Sequence, residues 1–114
     1  MGSDCNCSYQ VDGETYYGST PKFRLDIDAG VPMSDNNFNF YVELVGTSGR
    51  KTIEKASMPK DKEGNYYICF DTKSLGVGPV KAIVTAEVPD TAFPPDNKRK
   101  EVYVINRFMI VRGL

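Results

Sequence analysis

The sequence has no histidine and no tryptophan, and it has only three cysteines among 114 residues. Without histidine, a serine or cysteine nucleophile lacks its usual general base, which argues against nucleophilic catalysis. A zinc site within one chain is also disfavoured, because Cys5, Cys7 and Cys69 supply only three of the four ligands. We therefore predict a protein that is not an enzyme and that holds no metal or cofactor.

The chain also lacks a charge excess and a long apolar run. Its 14 basic and 15 acidic residues give a net charge of −1, which argues against nucleic acid as a partner because phosphate binding needs a basic excess. No apolar run approaches membrane-spanning length, and no signal peptide is recognisable after Met1. A leader removed upstream remains an open alternative.

What the sequence does contain is a series of short alternating apolar runs separated by glycine and proline. The length suits one domain, and no segment of helical periodicity stands out. "RKTIEKASM" is rich in lysine, which predicts a strand at a sheet edge. "YYICFD" is predicted to be a central strand, with Cys69 buried in the core. Two further runs predict buried faces: Phe38, Phe40, Val42 and Leu44 in the first, and Val80, Ala82, Val84, Ala86 and Val88 in the second.

The last strand, "KEVYVINRFMIV", is apolar on both faces. Regular alternation predicts one face made of Val102, Val104, Phe108 and Ile110, and another made of Tyr103, Ile105, Met109 and Val111. Together these strands predict an all-β fold, a two-sheet antiparallel immunoglobulin-like sandwich that spans residues 21–114.

Residues 1–20 are predicted to form an N-terminal arm. Asp12-Gly13 between two alternating runs indicates a β-hairpin, with Tyr9 opposite Tyr16. An isolated hairpin is marginally stable in water, so it must pack on its own domain or on a neighbouring molecule.

The stretch "FDTKSLGVGPVKAIVTAEVPD" predicts a corner at which the chain crosses from one sheet to the other. Leu75 is expected to close the end of the core, and Gly76 and Gly78 are expected to supply unusual φ values. Pro79 can begin the next strand at a position that needs no ladder donor.

This corner, followed by "FPPDNKRKEVYVI" and preceded by "FRLDID" and "FYVELV", resembles a family of small β-sandwich modules of phages and prophages. Those modules begin baseplate upper proteins and tail-fibre adaptors. The resemblance covers about residues 23–105 and implies a non-enzymatic virion structural protein, an adaptor or decoration module of capsid, tail or baseplate. Its partners would be other virion proteins or copies of itself, which makes a homo-oligomer in the virion. No fibre shaft or receptor-binding head follows, so joining or decorating is expected.

Three segments are predicted to make the protein contacts: the hairpin, the proline-rich loop and the C-terminal strand. Their residues are Tyr9, Tyr16, Tyr17, Asp90, Phe93, Asp96, Phe108 and Ile110. The alternative is a carbohydrate-binding or surface lipoprotein module, secreted or at the cell surface, in which the pairs Tyr16–Tyr17 and Tyr66–Tyr67 stack on sugars. Loop aspartates offer a further alternative, a calcium site. They are Asp26, Asp28, Asp35, Asp90 and Asp96.

Overall fold

The computed structural model describes residues 13–113 of the chain. This part is mostly β-structure, which confirms the all-β prediction in its general form. The strands are β1 (Gly13–Tyr16), β2 (Lys22–Leu25), β3 (Asn39–Val45), β4 (Arg50–Glu54), β5 (Tyr66–Cys69), β6 (Gly78–Pro89) and β7 (Lys98–Arg112). Two single-turn 3₁₀ helices, Lys55–Ser57 and Thr72–Ser74, complete the regular structure of these residues.

Five strands form one sheet in the order β1-β7-β6-β3-β4. The predicted buried faces of β3 and β6 are confirmed, since the nine apolar residues named for them above are at most 1 % exposed. The register places Phe40 opposite Ala86 and Leu44 opposite Ala82. A small side chain thus lies beside each bulky one, which lets the core face of the sheet pack without overcrowding.

The charged strand β4 lies at one edge of this sheet, as predicted. Among the described strands it pairs with β3 alone, and only Ile53 of its five residues is buried. Charged, exposed side chains on an edge strand hinder pairing with another chain.

Within the described residues, a second sheet contains β2 and β5 alone. The prediction of β5 as a central strand is therefore wrong, and so is the burial of Cys69, whose side chain is exposed. Tyr66 and Ile68 point into the core, and strict alternation turns Cys69 outward. The two sheets contact each other through ring pairs, Phe23 with Phe108 at 4.8 Å and Phe40 with Tyr66 at 5.2 Å between centroids.

Strand β7 contains a large bulge. Ile105 pairs with Ala82 and Met109 pairs with Val80, so the three residues from Asn106 to Phe108 lie opposite Lys81 alone. The bulge rotates Phe108 into the core, where it is 1 % exposed. The prediction that Phe108 shares a face with Val102 and Val104 is therefore wrong, because those two valines are 52 % and 53 % exposed.

The predicted corner is confirmed, although β6 begins at Gly78 and not at Pro79. Residues 70–77 carry the chain from β5 of the small sheet to β6 of the large one, and Leu75 is 0 % exposed. Gly76 and Gly78 have φ values of 91° and 127°, which glycine adopts at little cost. The turn between β3 and β4 packs directly on this corner, since a Cβ atom on Gly46 would lie 2.3 Å from the Leu75 carbonyl oxygen.

The N-terminal strand departs from the antiparallel expectation. β1 pairs with β7 in parallel, with Gly13 opposite Met109 and Tyr16 opposite Arg112. The second strand of the predicted hairpin thus adds to the sheet of its own chain. Tyr9 and Asp12, which define the rest of that hairpin, lie outside the described residues.

Candidate binding surface

The outward face of the five-stranded sheet carries a strip of mostly apolar side chains, with the buried Thr85 among them. Val104 lies opposite Ile83, and Val102 lies opposite Thr85, which in turn lies opposite Tyr41 on β3. We call Tyr41, Ile83, Thr85, Val102 and Val104 the outer strip. Its two valines leave half of their surface in contact with solvent. Exposed valines on neighbouring rungs form a patch that another apolar surface can cover.

Charged residues border the outer strip on the same face. Glu43, beside Ile83 in the register, makes an ion pair with Arg50 at 3.3 Å. Glu87 lies opposite Lys100 at the other margin. An apolar centre with a charged, hydrated border is the usual arrangement of a protein–protein interface.

Tyr16 and Tyr17 lie at the end of β1, at one end of the sheet. Their side chains are 57 % and 39 % exposed, so both are available for contacts. The backbone there is held by the N–H group of Tyr17, which donates to the Arg112 carbonyl oxygen at 2.8 Å. Beside them Arg112 donates to Glu14 at 2.8 Å, and this hydrogen bond lowers the pKa of the Glu14 carboxyl group.

The loop between β6 and β7 presents Phe93, which is 49 % exposed, and Asp96, which is exposed. Asp90 has a structural role instead. It accepts from the Ala92 backbone N–H at 3.0 Å and from Arg99 at 2.8 Å, and these two bonds lower the pKa of its carboxyl group. The bond from Arg99 secures the loop to β7, and Arg99 also donates to Glu101 on the same strand at 2.7 Å.

The two remaining predicted contact residues lie on β7. Phe108 is core, as described above, and cannot offer a surface. Ile110 is half-buried opposite Pro79 and Glu14. The last strand is apolar on both faces, so its sequence alone does not show that the bulge decides which of its side chains point outward.

The predicted contact residues do not converge. Tyr16 and Tyr17 lie beside the C-terminal end of β7, and Phe93 lies in the loop before its start. Fifteen residues of β7 separate the two sites, which is on the order of 45 Å along a strand. The outer strip occupies the sheet face between them. The sequence predictions place Val102 and Val104 on one apolar face of the last strand, but they name no member of the strip as a contact residue.

The second tyrosine pair proposed for sugar stacking, Tyr66–Tyr67, is only partly exposed. Tyr66 is 6 % exposed, so its ring cannot form an open platform. Tyr67 is half-buried, and its hydroxyl donates to Asp61 at 2.9 Å. Asp61 also accepts from the backbone and side chain of Asn65, and these bonds lower its pKa to about 2. This cluster closes the turn before β5.

The loop aspartates are separated rather than gathered. Asp26 makes an ion pair with Arg24 at 3.2 Å, and Asp35 accepts from the Asn37 backbone N–H at 2.8 Å. Within residues 13–113, no three His, Cys, Asp or Glu side chains come together as a metal-binding group.

No family model matches this chain, and no curated protein matches its sequence. The resemblance to phage modules therefore depends on the sequence motifs quoted above. In the part that the structure describes, no helix has the length and apolar character needed to cross a membrane.

Proposed function

We propose that the protein is a non-enzymatic structural module that works by binding other proteins, as an adaptor or decoration protein of a phage virion. The outer strip is the observation that carries the proposal. Isolated exposed valines are ordinary on a protein surface, but Val102 and Val104 lie two residues apart on β7, beside Ile83 of the paired strand β6 and within a charged border, which favours a contact site.

The finer fold is part of this proposal. We infer an immunoglobulin-like sandwich in which the β2–β5 sheet covers the inner face of the five-stranded sheet. The ring contacts of Phe23 with Phe108 and of Phe40 with Tyr66 support it, because each joins one sheet to the other. A sandwich leaves the opposite face of the large sheet open to a partner.

The partners would be copies of the same chain or other virion proteins, in capsid, tail or baseplate. Self-association can be tested without knowing any other component. Light scattering coupled to size-exclusion chromatography should give a multiple of 12.7 kDa for the wild type. Val104→Lys should shift the mass towards the monomer, because a buried unpaired ammonium group is costly.

The matched control is Val77→Lys, which makes the same substitution at a valine that is 49 % exposed in the corner before β6, away from the outer strip. It should keep the wild-type mass, and circular dichroism should be the same for all three proteins. A wild type that stays monomeric up to about 1 mM would contradict self-assembly through the strip.

In the carbohydrate alternative, Tyr16 and Tyr17 are exposed and could stack on a sugar, whereas Tyr66 is buried in the core and could not. Specific hits on a glycan array that disappear in Tyr16→Ala would favour it over the structural role.

A further inference from the structure

A concave pocket of about 470 Å³ opens at the end of the molecule where β3 begins and β5 begins. Segments far apart in sequence line it: Asn36 and Asn39 come from the approach to β3, Lys55 and Lys60 from the segment after β4, and Tyr66 from β5. Its volume falls within the range of small-molecule sites.

The floor of the pocket is apolar. Phe38, Met58 and Tyr66 line it and are 0 %, 6 % and 6 % exposed. A ligand that enters can therefore place an apolar body against side chains that belong to the core. Burial of apolar ligand surface here is worth about 25 cal/mol per Å² before the costs of binding.

The rim is cationic. The Lys55 ammonium group donates to the carbonyl oxygens of Asp35 at 2.9 Å and Phe38 at 2.6 Å. Since an ammonium group has three donors, one is left over. The Lys60 ammonium group lies 5.6 Å from the centre of the Tyr66 ring, and it makes no hydrogen bond to another described residue.

Charges near the pocket add to this positive field. Desolvation lowers the pKa of Lys55, Asp35 opposes the change, and the positive charges of Lys60 and Lys98 reinforce it. Lys98 itself donates to the Asn37 carbonyl oxygen at 2.6 Å. None of the residues lining the pocket is acidic. A bound anion would relieve the mutual repulsion of these lysines.

We propose that this pocket binds a small organic acid, whose anionic oxygen group contacts Lys55 and Lys60 and whose apolar body lies against Met58 and Tyr66. The amide of Asn36 can both donate and accept hydrogen bonds, so it can orient polar substituents of the ligand. The Asn39 amide is already engaged, since it donates to Glu87 at the margin of the outer strip at 3.4 Å. The site is centred on Lys55, Lys60 and Tyr66, and it does not depend on the proposed virion role.

The test is an NMR titration of the full chain at low salt with three probes: benzoate, benzamide and inorganic phosphate. Benzamide has the shape of benzoate without the charge, and phosphate has the charge without the apolar body. Benzoate should give saturable shifts at the backbone amides of Asn36, Lys60 and Tyr66. Benzamide and phosphate should each bind at least about fivefold more weakly.

Two lysine variants locate the site. Lys60→Gln should weaken benzoate binding at least about fivefold, whereas Lys62→Gln, which removes an exposed charge outside the pocket lining, should change it less than about twofold. Lys55→Met should weaken binding as well, provided that its spectrum remains that of the folded protein.

Benzoate shifts that do not saturate would overturn the proposal. So would benzamide or phosphate that binds as well as benzoate, and so would equal losses in Lys60→Gln and Lys62→Gln, which would indicate only general attraction to positive charge. The Lys60 comparison stands even if Lys55→Met does not fold.

Discussion

Thr72 is a buried polar residue whose hydroxyl group ties two distant parts of the chain together. Its Oγ1 atom accepts from the Gly18 backbone N–H at 2.8 Å and donates to the Ser19 carbonyl oxygen at 3.0 Å. The Ser19 carbonyl also accepts from the Thr72 backbone N–H at 3.1 Å. Through these bonds the corner before β6 holds the segment that follows β1.

Replacing Thr72 by valine keeps the shape and removes the hydroxyl group. The Gly18 N–H loses its partner, so we expect the free energy of unfolding to fall by about 1–3 kcal/mol, measured by urea denaturation. Thr52→Val on exposed β4 is the control and should change it by less than about 0.5 kcal/mol. Equal effects of the two substitutions would contradict the role given to Thr72.

Asp61 should titrate well below an ordinary aspartate. Its pKa is lowered from 3.8 to about 2, mainly by hydrogen bonds from Asn65. Because folding lowers this pKa, the ionised carboxylate stabilises the folded state above about pH 4, and this contribution is lost as the pH falls towards 2. NMR of the carboxyl carbon should give a midpoint near 2.

Asn65→Ala should move that midpoint upward towards 3.8, because it removes the side-chain donor. Asn37→Ala, outside this turn, should leave it unchanged. A midpoint that does not respond to Asn65→Ala would show that the turn does not hold the carboxylate.

At the scale of elements, strict alternation predicted β3 and β6 well, and the charged residues of β4 predicted its place at a sheet edge. In β3 and β6 the side-chain period of two directly reports which face is buried. Alternation failed for β5 because the apolar residues of "YYIC" indicate that one face of the strand is buried, but they do not indicate how many strands pair with it. Alternation failed for β7 because a bulge interrupts the side-chain period of two. None of the three bulge residues, Asn106, Arg107 and Phe108, signals the bulge in the sequence.

The bulge can be tested by removing its extra length. Deleting Asn106 and Arg107 restores a regular register in which Met109 still faces the core and Phe108 points to solvent. We expect a loss of stability comparable to that of Phe108→Ala, about 3–5 kcal/mol by urea denaturation. Replacing Asn106 and Arg107 by alanine keeps the length and should cost less than about 0.5 kcal/mol each. A stable deletion variant would contradict this account of the bulge.

At the scale of the whole molecule, the fold class followed from local patterns and the surfaces did not. The sequence indicated that β7 is apolar on both faces, but strand order and register decide that Val102 and Val104 are the exposed pair. The pocket combines residues from three separate segments, so no local spacing could reveal it. Long-range pairing, which a single sequence does not display, determines both features.

The close packing of the β3–β4 turn on the corner constrains how this chain can diverge. A Cβ atom at Gly46 or at Gly49 would lie 2.3 Å from a carbonyl oxygen, of Leu75 and of Ser74 respectively. Gly76 and Gly78 have positive φ values, which other residues adopt only at a cost, so both positions favour glycine. Distant homologues should therefore keep four glycines and a leucine in the spacing G-x2-G-x25-L-G-x-G, with the long gap free to vary, when little else remains alignable.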